Sequence, residues 1–177
     1  RVTFLNFGVT QPTTELTKQV IDFKRPSVTF ETIEVPIYNS KVYLAGKPNW
    51  SEVTCNLRDD ASGEVTKRVG EQMQKQFDFF EQASAASGLD YKFTTFIEIL
   101  DGGNGAYNPI PLETFEVQGC WIKNVSYDGG DYSKSEAMSM DLTICYDNAL
   151  QTVGINGGLV GLGLPVGRTV GTTSIGS

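Results

Sequence analysis

Apolar and polar residues alternate along most of this chain, and one stretch breaks that rhythm. In residues 135–146, Met138, Met140, Leu142, Ile144 and Tyr146 fall on one parity and Ser139, Asp141, Thr143 and Cys145 on the other. A period of two is a strand with one apolar and one wet face. In residues 113–125, Phe115, Val117, Gly119 and Trp121 share a parity, opposite Glu116 and Gln118. These two strands predict a hairpin, with Asp128-Gly129-Gly130 supplying positive φ in the reversal. Residues 50–57 alternate too, with Val53, Cys55 and Leu57 inward and Glu52, Thr54 and Asn56 outward. In 27–35 the apolar side switches at Thr32, which predicts a bulge or a passage between sheets. Residues 1–7 and 91–100 also read as strands, the latter with Tyr91, Phe93, Ile97 and Ile99 on one side. Residues 16–23 fit a strand or one helical turn, with the strand favoured. Residues 36–40 bend, 41–45 form a short strand, and Gly46-Lys47-Pro48-Asn49 is expected to turn sharply.

Between Glu64 and Ser87 the period lengthens. Val65, Val69, Met73, Phe77, Phe80 and Ala83 recur at steps of three or four, which predicts an amphipathic helix with those residues in the core. Asp60 or Ser62 is expected to cap it and Gly88 to close it, with Gly70 allowing close packing on a sheet. The elements sum to a mainly β chain: an antiparallel β-sandwich or half-barrel with one flanking amphipathic helix. Residues 1–147 form the domain. Residues 148–177, rich in glycine and apolar side chains, read as an extension that finds its partner on another chain.

Composition narrows the function. The formal net charge is −7, and Arg168 is the only charged residue beyond Asp147, so the acid lies in the body of the chain. Gripping nucleic acid phosphates takes clustered Lys and Arg, whereas an acidic wall lets DNA slide past. The chain has no histidine, the commonest general base and metal ligand. Its three cysteines, Cys55, Cys120 and Cys145, lack metal-ligand spacing. They read as reduced and half-buried. Alternatively, Cys120 and Cys145, both on polar parities, pair between subunits. No nucleotide-binding glycine loop or nucleophile elbow occurs, and Asp59-Asp60 reads as helix capping rather than an acid pair. Trp50 and Trp121 could floor a sugar site, but apolar neighbours make them core candidates. No catalytic, cofactor or metal site is expected, nor a signal peptide or membrane span. The chain opens on Arg1, so its numbering is expected to start inside the gene product or after processing.

One run carries a resemblance. After a strand near Ala45-Gly46, a strand over 50–60 ending in Arg58-Asp59-Asp60, and the amphipathic helix comes Phe115-Glu116-Val117-Gln118-Gly119-Cys120-Trp121-Ile122-Lys123-Asn124-Val125. The alternating 136–147 follows. This order, and above all Gly119-x-Trp121-x-x-Asn124-Val125, resembles the tail tube protein of contractile-tailed bacteriophages. The likeness spans roughly residues 1–147. It implies a sandwich whose inner sheets join edge to edge into a closed barrel, in hexameric rings that stack into a tube. It implies a surrounding sheath, baseplate and terminator partners, a place in the virion tail after synthesis in the host cytoplasm, and DNA in transit without specific binding. It implies no cofactor and no catalysis. Type VI secretion and injection-system tubes share the fold and remain alternatives; a carbohydrate-binding module is a remote one. Under the resemblance, the polar parities supply lumen candidates: Glu116, Gln118, Ser139, Asp141, Thr143, Glu31 and Glu52. Lys41, Lys47, Pro48 and Asn49 are candidates for contact between rings.

Overall fold

The computed structural model describes residues 1–9, 13–59, 62–102, 109–129, 138–153 and 158–159. In chain order its elements are β1 (Val2–Leu5), β2 (Thr13–Glu15), β3 (Val20–Phe23), β4 (Ser27–Ile37), β5 (Ser40–Ser51) and β6 (Val53–Arg58). Helix α1 (Glu64–Gln76), the short pair β7 (Phe77–Asp78) and β8 (Ala83–Ser84), and the one-turn helix α2 (Gly88–Tyr91) come next. The chain continues with β9 (Phe93–Leu100), β10 (Pro111–Tyr127), β11 (Ser139–Cys145), β12 (Asn148–Val153) and β13 (Gly158–Leu159).

Strand β10 organises the body. Its first half lies between β9 and β12, in a sheet that β1 and β2 extend on the β9 side and β13 on the other. Its second half pairs with β11, followed by β6 and β3, in a second sheet. All these pairings are antiparallel. β11 and β12 continue one ladder along the same side of β10: Trp121 faces Cys145 and Gln118 faces Asn148. Asn148–Val153, placed in the extension by sequence, is therefore a strand beside β10; residues 160–177 lie outside the described residues.

Gly119 makes the passage between the sheets. It takes φ 67°, and a Cβ there would collide with the Asp147 carboxylate. The inward parity slips by one at this point: Phe115 and Val117 are buried before it, Cys120 and Ile122 after it. The expected parity of Gly119 and Trp121 with Phe115 is thus corrected by a bulge that sequence alternation passes over. Gly129 is not among the residues with positive φ, and Gly130 lies outside the described residues.

The inner faces share one core. Met140, Leu142 and Ile144 of β11 meet Val53, Cys55 and Leu57 of β6, as alternation predicts. Phe4, Phe7 and Phe93 stack with ring centroids 4.9–5.9 Å apart. Met138 is exposed instead, and Tyr91 belongs to α2. Residues 16–23 divide into a turn and β3.

Helix α1 covers a flank with Val65 and Val69 fully buried. Its start is Gly63 in the left-handed region, with no side-chain cap; Asp60 lies outside the described residues. Gly70 faces open space, so packing does not require it. The helix ends at Gln76, not at Gly88, and Phe77, Phe80 and Ala83 are exposed rather than core. Gly88 instead opens α2 behind a capping box of Ser87 and Asp90.

Candidate functional site

Three surfaces could do work, and each is built from strands. The first is the outer face of the second sheet. Inward Val53, Cys55 and Leu57 force Thr54, Asn56 and Arg58 outward, and β11 likewise presents Ser139, Asp141, Thr143 and Cys145. Asn56 donates to Asp141 Oδ1 at 2.7 Å, Lys123 pairs with Glu52, and Ser139 donates to Asp128. The Glu52 carboxylate holds the exposed Lys123 ammonium above its usual range. Asp22, Glu52 and Asp141 outnumber Arg58 and Lys123, so the face is hydrophilic and slightly acidic.

The second surface is the outer face of the first sheet. Glu116 and Gln118 lie here, the amide donating to the carboxylate at 2.8 Å. Their cross-strand neighbours include Phe96 and Leu150, which makes this face mixed rather than wholly polar. The predicted lumen residues therefore divide: Ser139, Asp141, Thr143 and Glu52 share one face, and Glu116 and Gln118 another. Glu31 lies on neither.

Glu31 belongs to the third surface, the β4–β5 hairpin, a two-stranded sheet of its own. The expected turn at Gly46-Lys47-Pro48-Asn49 does not occur. β5 runs through it, and the reversal falls at Tyr38-Asn39, with Tyr38 at φ 47°. The bulge expected at Thr32 is present: between the Phe30–Pro48 and Thr32–Ala45 pairs, β5 carries one residue more than β4. Gly46 sits there because a Cβ would lie 3.0 Å from the Glu31 carbonyl oxygen. The bulge moves the apolar stripe to the other face. At the root, Val28, Phe30, Pro48 and Trp50 share one side; toward the tip, Ile33, Val35, Val42 and Leu44 share the opposite side. Ile33 and Leu44 are 50% and 51% exposed. Lys41 pairs with Glu34 at 2.5 Å near the tip, and Lys47, Pro48 and Asn49 are exposed along β5. Sequence reasoning missed this long arm because Gly and Pro together read as a turn.

The cysteines separate by burial. Burial pushes the Cys55 thiol up to about 12 and the Cys120 thiol to about 11. Cys120 donates to the Val117 carbonyl at 3.2 Å inside the core, so of the two disulfide candidates only Cys145 is near the surface. Trp50 packs 5.7 Å from Tyr146, centroid to centroid, rather than forming an open platform. Among the described residues no group of three acidic, Cys or His side chains is placed to hold a metal, and no helix is long and apolar enough to cross a membrane.

Solved structures place this architecture. A chain in the anti-feeding prophage cap structure, described as a tube-terminating cap, superposes with TM-score 0.60 at 11% identity, over 87% of this chain and 89% of that one. The sheath/tube terminator of an extracellular contractile injection system gives 0.58 at 11%, over 86% and 94%. An Hcp protein crystal structure gives 0.53 at 10%, over 90% and 96%. The chain has a tail-tube-like fold. No family model matches the sequence, and no curated protein does. Two of these similar structures are a tube-terminating cap and a sheath/tube terminator of contractile assemblies.

Proposed function

We propose that this chain is the subunit of a phage tail tube, assembling into hexameric rings that stack inside a contractile sheath and conduct genome DNA. The observation that carries this reading is a tail-tube-like fold whose second sheet turns a largely polar face outward, with Trp121 beside Cys145 at one end. Ser139, Asp141, Thr143 and Glu52 on that face line the channel, where slight negative charge keeps DNA from adhering. The edges of the second sheet, β3 and the end of β10, run in opposite directions, so copies set side by side join antiparallel. A closed barrel built this way leaves no sheet edge open to uncontrolled pairing. The β4–β5 hairpin, with Lys41, Lys47, Pro48 and Asn49, reaches the adjacent ring, and sheath, baseplate and terminator proteins are its other partners. The role is structural, without catalysis.

Negative-stain microscopy of the purified chain tests the reading: rings or tubes are expected, and persistent monomers at high concentration contradict it. The channel assignment has its own test. Asp141→Lys in assembled tails slows DNA ejection, whereas Glu116→Lys, on the other sheet, does not; equal effects sink the assignment. The fold of the similar structures favours a second reading, a tube of an injection or type VI system carrying protein. Tubes that assemble but never occur on DNA-filled particles favour it.

A further inference from the structure

The segment just after α1 holds aromatic side chains in the open. Phe79 is 59% and Phe80 98% exposed, and Phe77 packs edge-on to Phe79 with centroids 5.5 Å apart. This turn is built. The Asp78 carboxylate accepts from Phe80 N at 2.9 Å, Glu81 N at 3.3 Å and Gln74 Nε2 at 2.8 Å, which holds its carboxyl below the usual range. The β7–β8 pairing closes the turn from below. With the backbone of the turn already ordered, binding takes less freedom from it, which favours its aromatic residues as anchors.

An apolar cleft of about 250 Å³ lies at the hairpin root, lined by Pro26, Val28, Trp50, Phe115, Ala149 and Gln151 among others. A dry cavity of about 150 Å³ takes a benzene ring, so this cleft has room for a phenyl group. Knob and cleft lie on opposite sides of β10. Gln76, at the knob's base, exchanges hydrogen bonds with both the N–H and the carbonyl of Ile122, at 2.8 and 2.9 Å. It does so on the edge of β10 away from β11. The cleft opens beside β12, on the edge that β11 and β12 share. The seven-residue step from Phe115 to Ile122 separates the two regions by roughly 20 Å along the strand, so a knob cannot fill its own cleft. Charge favours the pairing modestly: Glu81 flanks the knob, and the exposed Arg25, paired with Glu113 at 3.6 Å, precedes Pro26 of the cleft lining.

We propose that Phe80 of one copy, presented by the Phe79-Phe80 turn, seats in the Val28/Trp50/Phe115 cleft of the next, as a head-to-tail contact between chains. Such a contact uses two different patches and therefore closes into a ring when the rotation between copies permits. It rests on the proposed self-assembly of this chain.

The test pairs two variants with the wild-type chain. Phe79→Ser/Phe80→Ser raises the concentration needed for assembly on the order of a hundredfold, as expected for one phenyl group left in water, with an unfolding midpoint close to that of the wild type. In a Cys145→Ser background, Phe80→Cys with Val28→Cys yields an oxidised ladder of oligomers that reductant collapses, and neither single cysteine does. A double-serine variant that assembles like wild type, or assembled double-cysteine chains that give no ladder, overturns the contact and leaves the tube reading standing. A wild-type chain that never assembles overturns both.

Discussion

The β10–β11 and β4–β5 strand pairs share alternating apolar stripes and differ in what covers them. Both alternate, and both are antiparallel with a bulge. In β11, Met140, Leu142 and Ile144 are at most 1% exposed because β6 and the opposing sheet supply partners from the same chain. In β4–β5, Ile33, Val35, Val42 and Leu44 are as apolar but stand in water. Alternation establishes that a face seeks cover; it does not say which molecule supplies the cover. Contiguous exposed apolar surface on an ordered element marks an interaction site, and the switch of faces at Glu31 and Gly46 gives the arm two such sites, one at its root and one at its tip.

The comparison breaks most directly by truncation. Leu142→Ala removes a fully buried side chain and destabilises the monomer by about 3 kcal/mol. Leu44→Ala, on the half-exposed arm, changes monomer stability by less than about 0.5 kcal/mol. Urea midpoints of the two variants measure this, and similar losses would mean the arm has a partner within its own chain. A smaller effect tests the bend that gives β10–β11 its second sheet. Gly119→Ala demands a left-handed alanine and displaces Asp147, costing about 2 kcal/mol, read in the same unfolding curve. The smallest effect is chemical. The thiols of Cys55 and Cys120 are held far above their usual range, so they stay protonated and unreactive at pH 8. The Cys145 thiol is also raised by partial burial but reaches the surface, so a thiol reagent labels only Cys145 in the native chain and all three cysteines in denaturant; rapid native labelling of Cys120 would mean its core is open.

How much of this was legible depended on whether a local signal agreed with the tertiary one. The parities of β6 and β11 were readable because each strand has one buried face throughout. The first three turns of α1 were readable for the same reason, through Val65 and Val69. The end of α1 was not: Phe77, Phe80 and Ala83 keep helical spacing, while Asp78 binds the N–H groups of Phe80 and Glu81 and stops the helix. Gly46 and Pro48 signal a turn, yet in an isolated two-stranded arm Gly46 gives a bulge room and Pro48 lies on a strand with no third neighbour. The parity slip at Gly119 depends on Asp147, 28 residues away in sequence, which no local window contains. The lumen candidates inherited that slip: Glu116 and Asp141 look equivalent by alternation and sit on different sheets.

Sedimentation velocity on the wild-type chain and on Ile33→Ser/Leu44→Ser, across a range of concentration, tests most directly whether another copy covers the arm. The account predicts concentration-dependent growth into large species for the wild type, and for the variant a loss of that growth with an unchanged unfolding midpoint. A variant that grows like the wild type, or a wild type that stays monomeric throughout, would contradict it.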